Sequence, residues 1–352
     1  MNPTISSGDA ILHRPTIADV ARLAGVSKST VSRVLSGRAE YMRDETRARV
    51  EQAIAELGYR PSSVARSLVS KRTLTAAMLV SDIGNPFYPE VIAGAEDVAL
   101  GQGYNIFLCS TNYDLERGLT FVRSLIDKQV DGVLVMSSSV SDEWLQELAQ
   151  HRIPVVVLDW EPQNVHGPVG VIGVDFAPGI HAAVAHLVGL GHRQLAHVSG
   201  PRHLRTSHLR QNAFLEAAAA HGLDPGDIPV VEGDLQVAGG RKALAHLLNL
   251  PRVPTAVFAA NDLMAMGIVR AARARGLRVP HDLSVIGLDN IWLAADMDPP
   301  LSTVALPRYE IGQLAMRMLF ELLQQPDLAR PFYRRQVATH FLARESTAPP
   351  KS

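Results

Sequence analysis

Two groups of side chains in this 352-residue chain are placed to do chemistry. The first lies near the N-terminus, where Lys28, Ser29 and Thr30 stand in a row and Arg33 follows one helical turn on. At the leading end of a short helix, such cations and hydroxyls reach base edges or phosphates, and an arginine can pair bidentately with guanine. The second group is scattered. Asp82, Asp159, Asp175, Asn261, Asp262 and Asp289 each follow an apolar run, the position from which carboxylates and amides hold a small polar molecule at the ends of parallel strands. Neither group suits catalysis. The chain has no Gly-x-Ser-x-Gly elbow, no phosphate loop and no His-Glu-x-x-His. His181 and His186, like His203 and His208, are five residues apart, off the four-residue spacing that aims two helical ligands at one metal. The expectation is no enzyme, no metal and no cofactor.

The elements that position these residues follow from the pattern. Thr16 is expected to cap a helix over 17–24, with Asp19 favouring its positive end. Gly25 breaks it, and Ser27 caps a second helix running to Leu35, with Val31, Val34 and Leu35 facing inward. A third helix over 44–57 buries Val50, Ile54 and Leu57 and stops at Gly58. Helix, glycine turn and basic second helix make a helix-turn-helix; geometry alone leaves open a small helical domain with a solvated basic face. From Thr73 onward the rhythm changes. Strands are expected at 76–80, 104–109, 132–136, 154–158, 169–174, 195–199, 256–259 and 284–288, with helices between, as at 177–190, 207–221 and 237–248. Continuous apolar strands alternating with helices indicate parallel sheets covered on both faces. Roughly 270 residues are too many for one open sheet, so two lobes are expected.

Charge separates the same two parts. The chain has a net charge of −1, but residues 1–72 hold twelve Lys/Arg against seven Asp/Glu, a basic head on a mildly acidic body. That asymmetry suits an anionic partner for the head. Cys109, alone in the chain, excludes an intramolecular disulfide and reads as a small buried hydrophobe. The N-terminus lacks the pattern of a signal peptide and no run has membrane-span length, so a cytoplasmic setting without membrane contact is expected.

The wording is more specific than the geometry. Residues 16–37, TIADVARLAGVSKSTVSRVLSG, closely resemble the head of the LacI/GalR family of bacterial transcriptional regulators. The likeness continues through Glu45-Thr46-Arg47, Leu57-Gly58-Tyr59-Arg60-Pro61 and Val64-Ala65-Arg66-Ser67-Leu68. It then covers Asn85-Pro86-Phe87-Tyr88, Gly191-His192-Arg193, Gly200-Pro201, residues 258–267 (FAANDLMAMG), Gly287-Leu288-Asp289-Asn290-Ile291 and residues 300–304 (PLSTV). The resemblance implies an α/β protein with an all-α helix-turn-helix DNA-binding head, a hinge helix and a two-lobed periplasmic-binding-protein-like effector domain. The boundaries are a disordered arm at 1–15, the head at 16–60, the hinge helix and linker at 61–72, the effector-binding and dimerisation domain at 73–346 and a tail at 347–352.

The resemblance also assigns residues. Thr16, Ser27, Lys28, Ser29, Thr30 and Arg33 form the major-groove set. Ala65, Arg66 and Leu68 belong to the hinge helix, with Leu68 matching the leucine that wedges into a central base step of the minor groove. Asp82, Phe87, Tyr88, Trp160, Thr206, Arg210, Leu235, Asn261, Asp262 and Asp289 are the effector set, with Arg205 a weaker neighbour. Phe87 and Tyr88 would stack on a sugar or base, Arg210 would fork across hydroxyls or a carboxylate, and Asp289 would accept from a ligand hydroxyl. Asp262 has a rival reading as a helix cap, Leu68 as a linker residue, and Trp160 as a cover over the hinge of the lobes.

Two positions depart from the family. Leu235 stands where several members carry an aromatic, which weakens the case for a flat purine ligand. Arg43 stands where a Ser or Thr usually caps the third helix, with Asp44 as the possible replacement. The expected function is a homodimeric repressor of carbohydrate-utilisation genes, bound to pseudo-palindromic double-stranded operator DNA and released by a sugar-like effector. A purine-type corepressor mode is the alternative. A transport-type sugar-binding protein shares the body but is disfavoured by the head.

Overall fold

A computed structural model describes residues 15–35, 42–60, 72–163, 165, 167–324 and 333–351. The chain divides into two compact units, Met1–Thr73 and Leu74–Ser352. The expected arm and hinge, with Ala65, Arg66 and Leu68, lie outside the described residues.

The first unit packs α1 (Ile17–Ala24), α2 (Lys28–Leu35) and α3 (Asp44–Leu57) around Val20, Ala21, Ala24, Val31, Val50 and Ala53. Val34, Leu35, Ile54 and Leu57 close its edges. The α1 start is fixed by the Asp19 carboxylate, which accepts from the Thr16 N–H at 2.9 Å and the Thr16 hydroxyl at 2.7 Å. Gly25 takes φ +64°, a left-handed conformation that a side chain would strain, and this lets α2 leave at once. At α3 the departure from the family is visible. Arg43 holds the N-cap position without a side-chain cap, and Asp44 is the first helical residue rather than a substitute cap.

The second unit holds two six-stranded sheets. Sheet one runs β11-β5-β4-β3-β1-β2, from β1 (Thr75–Val80), β2 (Asn105–Ser110), β3 (Gly132–Met136), β4 (Val155–Leu158), β5 (Val169–Asp175) and β11 (Tyr333–Ala338). Sheet two runs β12-β10-β9-β8-β6-β7, from β6 (Leu195–Ser199), β7 (Val230–Glu232), β8 (Ala256–Ala259), β9 (Ser284–Asp289), β10 (Ser302–Ala305) and β12 (His340–Leu342). All pairs are parallel except β10 with β12. Sheet one shows why its strands read as unbroken apolar runs. Ala76, Met78 and Val80 enter one core while Ala77 and Leu79 enter the other, so both faces are buried.

The connecting helices are α4 (Tyr88–Gly101), α5 (Leu115–Asp127), α6 (Asp142–Gln150), α7 (Ala177–Gly189), α8 (Arg205–Ala220), α9 (Val237–Leu247), α10 (Asp262–Arg273), α11 (Trp292–Ala295) and α12 (Arg308–Gln324). Helices α4 and α12 cross at glycines: a Cβ on Gly312 would lie 1.9 Å from the Val91 carbonyl oxygen, and one on Gly94 2.0 Å from that of Tyr309. The chain passes between the sheets after β5, after β10 and after β11, so three short segments join the two lobes.

The eight expected strands are present within a residue at each end, and four more join them. Three of those four sit at sheet edges. Two are only three residues long, and β11 carries Arg334, Arg335 and Gln336, so none has the apolar signature of a buried strand. The fourth, β10, is a four-residue Ser-Thr-Val-Ala run, fully buried but half polar.

Candidate functional site

On the head, the hydroxyls gather at the start of α2. Ser27 Oγ accepts from the Thr30 N–H at 3.1 Å and lies 2.7 Å from Ser29 Oγ and 2.8 Å from Thr30 Oγ1. Ser27, Lys28, Ser29 and Arg33 are exposed, and Thr30 is half-buried. The helix therefore offers its positive N-terminal end, with three hydroxyls and two cations around its first two turns, chemistry that suits phosphate and base edges. Thr16 is exposed at the start of α1, occupied with Asp19.

In the second unit, strand ends and helix starts from both sheets converge on a narrow cleft. Seven of the ten sequence-derived residues line it: Phe87, Tyr88, Thr206, Arg210, Leu235, Asn261 and Asp289. Phe87 and Tyr88 meet edge to face, 5.2 Å between ring centroids, at the start of α4. Asn85 sets that start by accepting from the Phe87 N–H at 3.0 Å. Arg210, on α8, donates to the Ala260 carbonyl at 2.8 Å, and its guanidinium lies 5.0 Å from the centre of the Phe176 ring. Its other terminal nitrogen stands 3.6 Å from Asp289 Oδ1, too long for a good hydrogen bond.

That gap matters. Arg210 Nε and Asp289 Oδ1 are buried and have no hydrogen-bond partner. Buried polar atoms are nearly always satisfied, and a donor and an acceptor left unsatisfied in the lining of one cleft are complementary to a hydroxyl-bearing ligand. Burial pushes the Asp289 carboxyl up to about 6, against the pull of Arg210 and Arg308. Its backbone takes φ +118°, and Arg308 holds its carbonyl at 2.8 Å while also gripping Glu90 on α4. Burial also raises the Tyr88 phenol.

Three sequence-derived residues sit elsewhere. Asp262 is fully buried beneath the cleft, accepting from the Ile291 N–H at 2.8 Å and the Thr303 hydroxyl at 2.6 Å. Burial, with Asp289 nearby, raises its carboxyl to about 8. It is not a helix cap either: Asn261 caps α10, accepting from the Met264 N–H at 2.9 Å while donating to the Leu235 carbonyl at 2.9 Å. Asp82 stands at the rim, where Gln236 donates to it at 3.2 Å across the two lobes. Trp160 faces a separate outer groove with Arg205.

The cleft also contains residues the sequence reading passed over: Asn85, Tyr113, Ser137 and Ser138, with Asp159 noted only as a strand-end carboxylate. Tyr113 follows β2 and the serines follow β3, so the strand-end signal was present but carried by residue types common in any loop. Asp159 accepts from the Val174 N–H at 2.6 Å, and burial pushes its carboxyl up to about 6. Among the described residues, no three His, Cys, Asp or Glu side chains are grouped to hold a metal ion, and no helix is long and apolar enough to cross a membrane.

Known proteins share both halves of this arrangement. Residues 16–62 match the model of bacterial regulatory proteins, lacI family, and residues 184–347 that of the periplasmic binding protein-like domain. The chain is 37% identical over 319 residues to the HTH-type transcriptional repressor PurR of Aliivibrio salmonicida, covering 90% of this chain and 95% of that protein. The lac repressor dimer bound to operator and the anti-inducer ONPF superposes with a TM-score of 0.84 at 30% identity, over 95% of this chain and 99% of that one. A LacI family transcriptional regulator from Enterococcus faecium with bound ribose superposes at 0.71 and 30% identity, over 79% and 100%. With a helix-turn-helix head, a two-sheet body and relatives aligned over nearly the whole length, the chain belongs to the lacI family of bacterial regulatory proteins.

Proposed function

We propose that this protein is a cytoplasmic, homodimeric transcriptional repressor that binds operator DNA through α2 and releases it when a sugar-like effector occupies the cleft. The observation that carries the effector half is that two buried polar atoms, Arg210 Nε and Asp289 Oδ1, have no hydrogen-bond partner on side chains that line the cleft and approach to 3.6 Å. A sugar hydroxyl both donates and accepts and so can satisfy both atoms at once. Phe87 and Tyr88, Asn261, Ser137 and Thr206 surround that point, and the Enterococcus faecium relative holds ribose. Asp82 closes the rim through Gln236; Trp160 and Asp262 fall outside the site as drawn.

For the DNA half, Lys28, Ser29, Thr30 and Arg33 read the major groove, with Thr16 and Ser27 at the helix starts. Ala65, Arg66 and Leu68 take the minor groove. Linkage requires that a ligand lowering operator affinity is itself bound less tightly by the operator complex. For the dimer, the edge strand β2 exposes Phe107 and Leu108, with Leu100 and Leu115 exposed on the neighbouring helices. A bare apolar edge suits a second copy of the chain.

A purine-type corepressor is the second reading, favoured by the similarity to PurR. Against it, Leu235 presents no flat ring to stack on a base. A thermal-shift panel of pentoses, hexoses, sugar acids, nucleosides and purine bases, followed by operator binding with each hit, separates the two. A sugar that raises the melting temperature and weakens operator binding supports the inducer reading. A purine that strengthens operator binding replaces it.

A further inference from the structure

The turn that presents Asp289 to the cleft is held from both lobes. Asp289 and Asn290 follow one another at φ +118° and +54°, conformations that persist outside glycine only where the surroundings over-determine them. On the side of sheet two, Asp262 accepts from the Ile291 N–H at 2.8 Å and the Thr303 hydroxyl accepts from the Asn290 N–H at 3.3 Å. Arg344 donates to the Asn290 side-chain carbonyl at 2.7 Å. From the other side comes Arg308. It is the first residue of α12, just after the chain has left β10, and α12 packs on α4 and on β3, β4 and β5 of sheet one.

Arg308 uses three different nitrogens. Nη1 donates to the Asp289 carbonyl at 2.8 Å, while Nη2 and Nε donate to the two Glu90 carboxylate oxygens at 2.6 and 3.2 Å. The side chain is 5% exposed, so these partners are what make a buried cation tolerable there. The guanidinium is planar and its donors stand at fixed angles, so it sets the carbonyl and the carboxylate in one geometry, which the single ammonium of a lysine would not. Glu90 lies in the first turn of α4, two residues past Tyr88. Helices α4 and α12 meet backbone to backbone at Gly94 and Gly312, which leaves them no room to slide and makes them one block. Arg308 itself is not among the residues that line the cleft. Through it, the acceptor of one lobe is tied to the helix whose start carries Phe87 and Tyr88 in the other.

We propose that Arg308 is a positioning residue: without touching the effector, it holds the Asp289 turn in its strained form by anchoring it to Glu90, so that the aim of the Asp289 carboxylate and the seating of α4 are one equilibrium. Its use in effector binding rests on Asp289 being the effector's acceptor.

The test begins without ligand. Hydrogen exchange of the Asn290 and Ile291 amides is measured in the full-length parent and in Glu90→Ala, whose half-exposed site makes a folding failure avoidable. Glu90 does not touch either amide, yet their exchange should quicken about tenfold. Glu90→Gln, which keeps an acceptor without the charge, should fall between parent and Glu90→Ala, and Arg308→Lys should match Glu90→Ala. Asp97→Ala is the control. It cuts another bond between the same two helices, from the Tyr309 hydroxyl to Asp97, and should leave both amides within about twofold of the parent. Faster exchange confined to α4 in Glu90→Ala overturns the proposal, as does equal quickening in Asp97→Ala, which would show only a general loosening. The second arm is calorimetric titration with D-ribose, D-xylose, D-glucose and D-galactose. A sugar bound by the parent should bind Glu90→Ala about tenfold more weakly; equal affinity overturns the positioning role. No binding of any of these sugars by the parent counts against the sugar reading of the cleft, and the exchange arm then decides the tie between Asp289 and α4 by itself.

Discussion

The outward face of α2 and the cleft of the second unit are built on opposite plans. Apart from Thr16, the candidate major-groove side chains sit within positions 27–33, exposed but for the half-buried Thr30, at and after the start of one helix whose inner face is anchored by Val31. The cleft draws Asn85, Tyr113, Ser137, Asp159, Arg210, Asn261, Asp289 and Leu306 from segments spread over most of the second unit. One surface is local and solvated; the other is assembled by topology and largely desolvated. The same charge is therefore worth different amounts in the two places. A solvated arginine loses little when its partner is absent, whereas a buried one left unpaired is expensive.

The largest effect is accordingly expected in the cleft. Arg210→Ala removes the donor to the Ala260 carbonyl and the cation facing Asp289. Affinity for a bound sugar should fall about a hundredfold, ~2.7 kcal/mol, with operator affinity in the absence of sugar nearly unchanged. Sugar titration and operator titration of one purified variant read both. Equal sugar affinity in variant and parent would remove Arg210 from the site.

Next comes the exposed face. Arg33→Ala should lose about 2 kcal/mol of discrimination at one base position in each half-site, leaving sugar binding as it was. Binding to operators randomised one position at a time is the measurement. A loss of the same size on every sequence would make Arg33 a phosphate contact, and the local plan of α2 would then carry orientation without base reading.

The contrast also explains what could be read in advance. The three helices of the head were legible because each is local: a cap, a glycine and an apolar stripe suffice. So were the eight apolar strands: seven are buried on both faces and leave an unbroken apolar run, and the eighth, the edge strand β2, keeps its apolar run although Phe107 and Leu108 are exposed. Edge strands such as β11 were not, because a strand held on one side tolerates Arg334 and Arg335. In the cleft, Asp289 is marked by its place after an apolar run, whereas Arg210 is reached through family resemblance and not through spacing. Tyr113 and Ser137 follow strands too, but as residue types common in any loop they stand out only once β1, β2 and β3 are laid side by side. Asp262 shows the converse. An Asn-Asp pair after a strand looks like a ligand pair, yet only Asn261 faces the cleft, while Asp262 is spent on Ile291 and Thr303.

Desolvation sharpens the comparison through pH. The Asp289 carboxyl is raised to about 6, first by burial, with Arg210 and Arg308 opposing and Asp262 beneath. Because the folded value lies above the unfolded one, its ionised form lowers stability at neutral pH, and this penalty is relieved as pH falls through 6 towards 4. Ligand acceptance runs the other way, since only the carboxylate accepts from a hydroxyl at both oxygens. Sugar affinity should therefore drop about tenfold from roughly pH 7.5 to 5, and Asp289→Asn should flatten the profile. A profile that keeps its slope in that variant would move the titration to another group, with Asp159 first in line.

The smallest effect tests whether the local plan of the head has been brought to its own optimum. Arg43 occupies the α3 N-cap with no side-chain cap, leaving the first-turn amides of that helix without the usual hydroxyl acceptor and placing a cation at a positive helix end. Asp44 and Glu45 in the first turn supply the favourable charge but not the bond. Arg43→Ser should add about 1 kcal/mol to the stability of α3, read as slower hydrogen exchange of its first-turn amides in the full-length protein. No change in exchange would mean that the two acids already offset the missing cap. Slower exchange combined with weaker operator binding would show that the arginine is kept for its charge towards DNA, at the expense of the helix it begins.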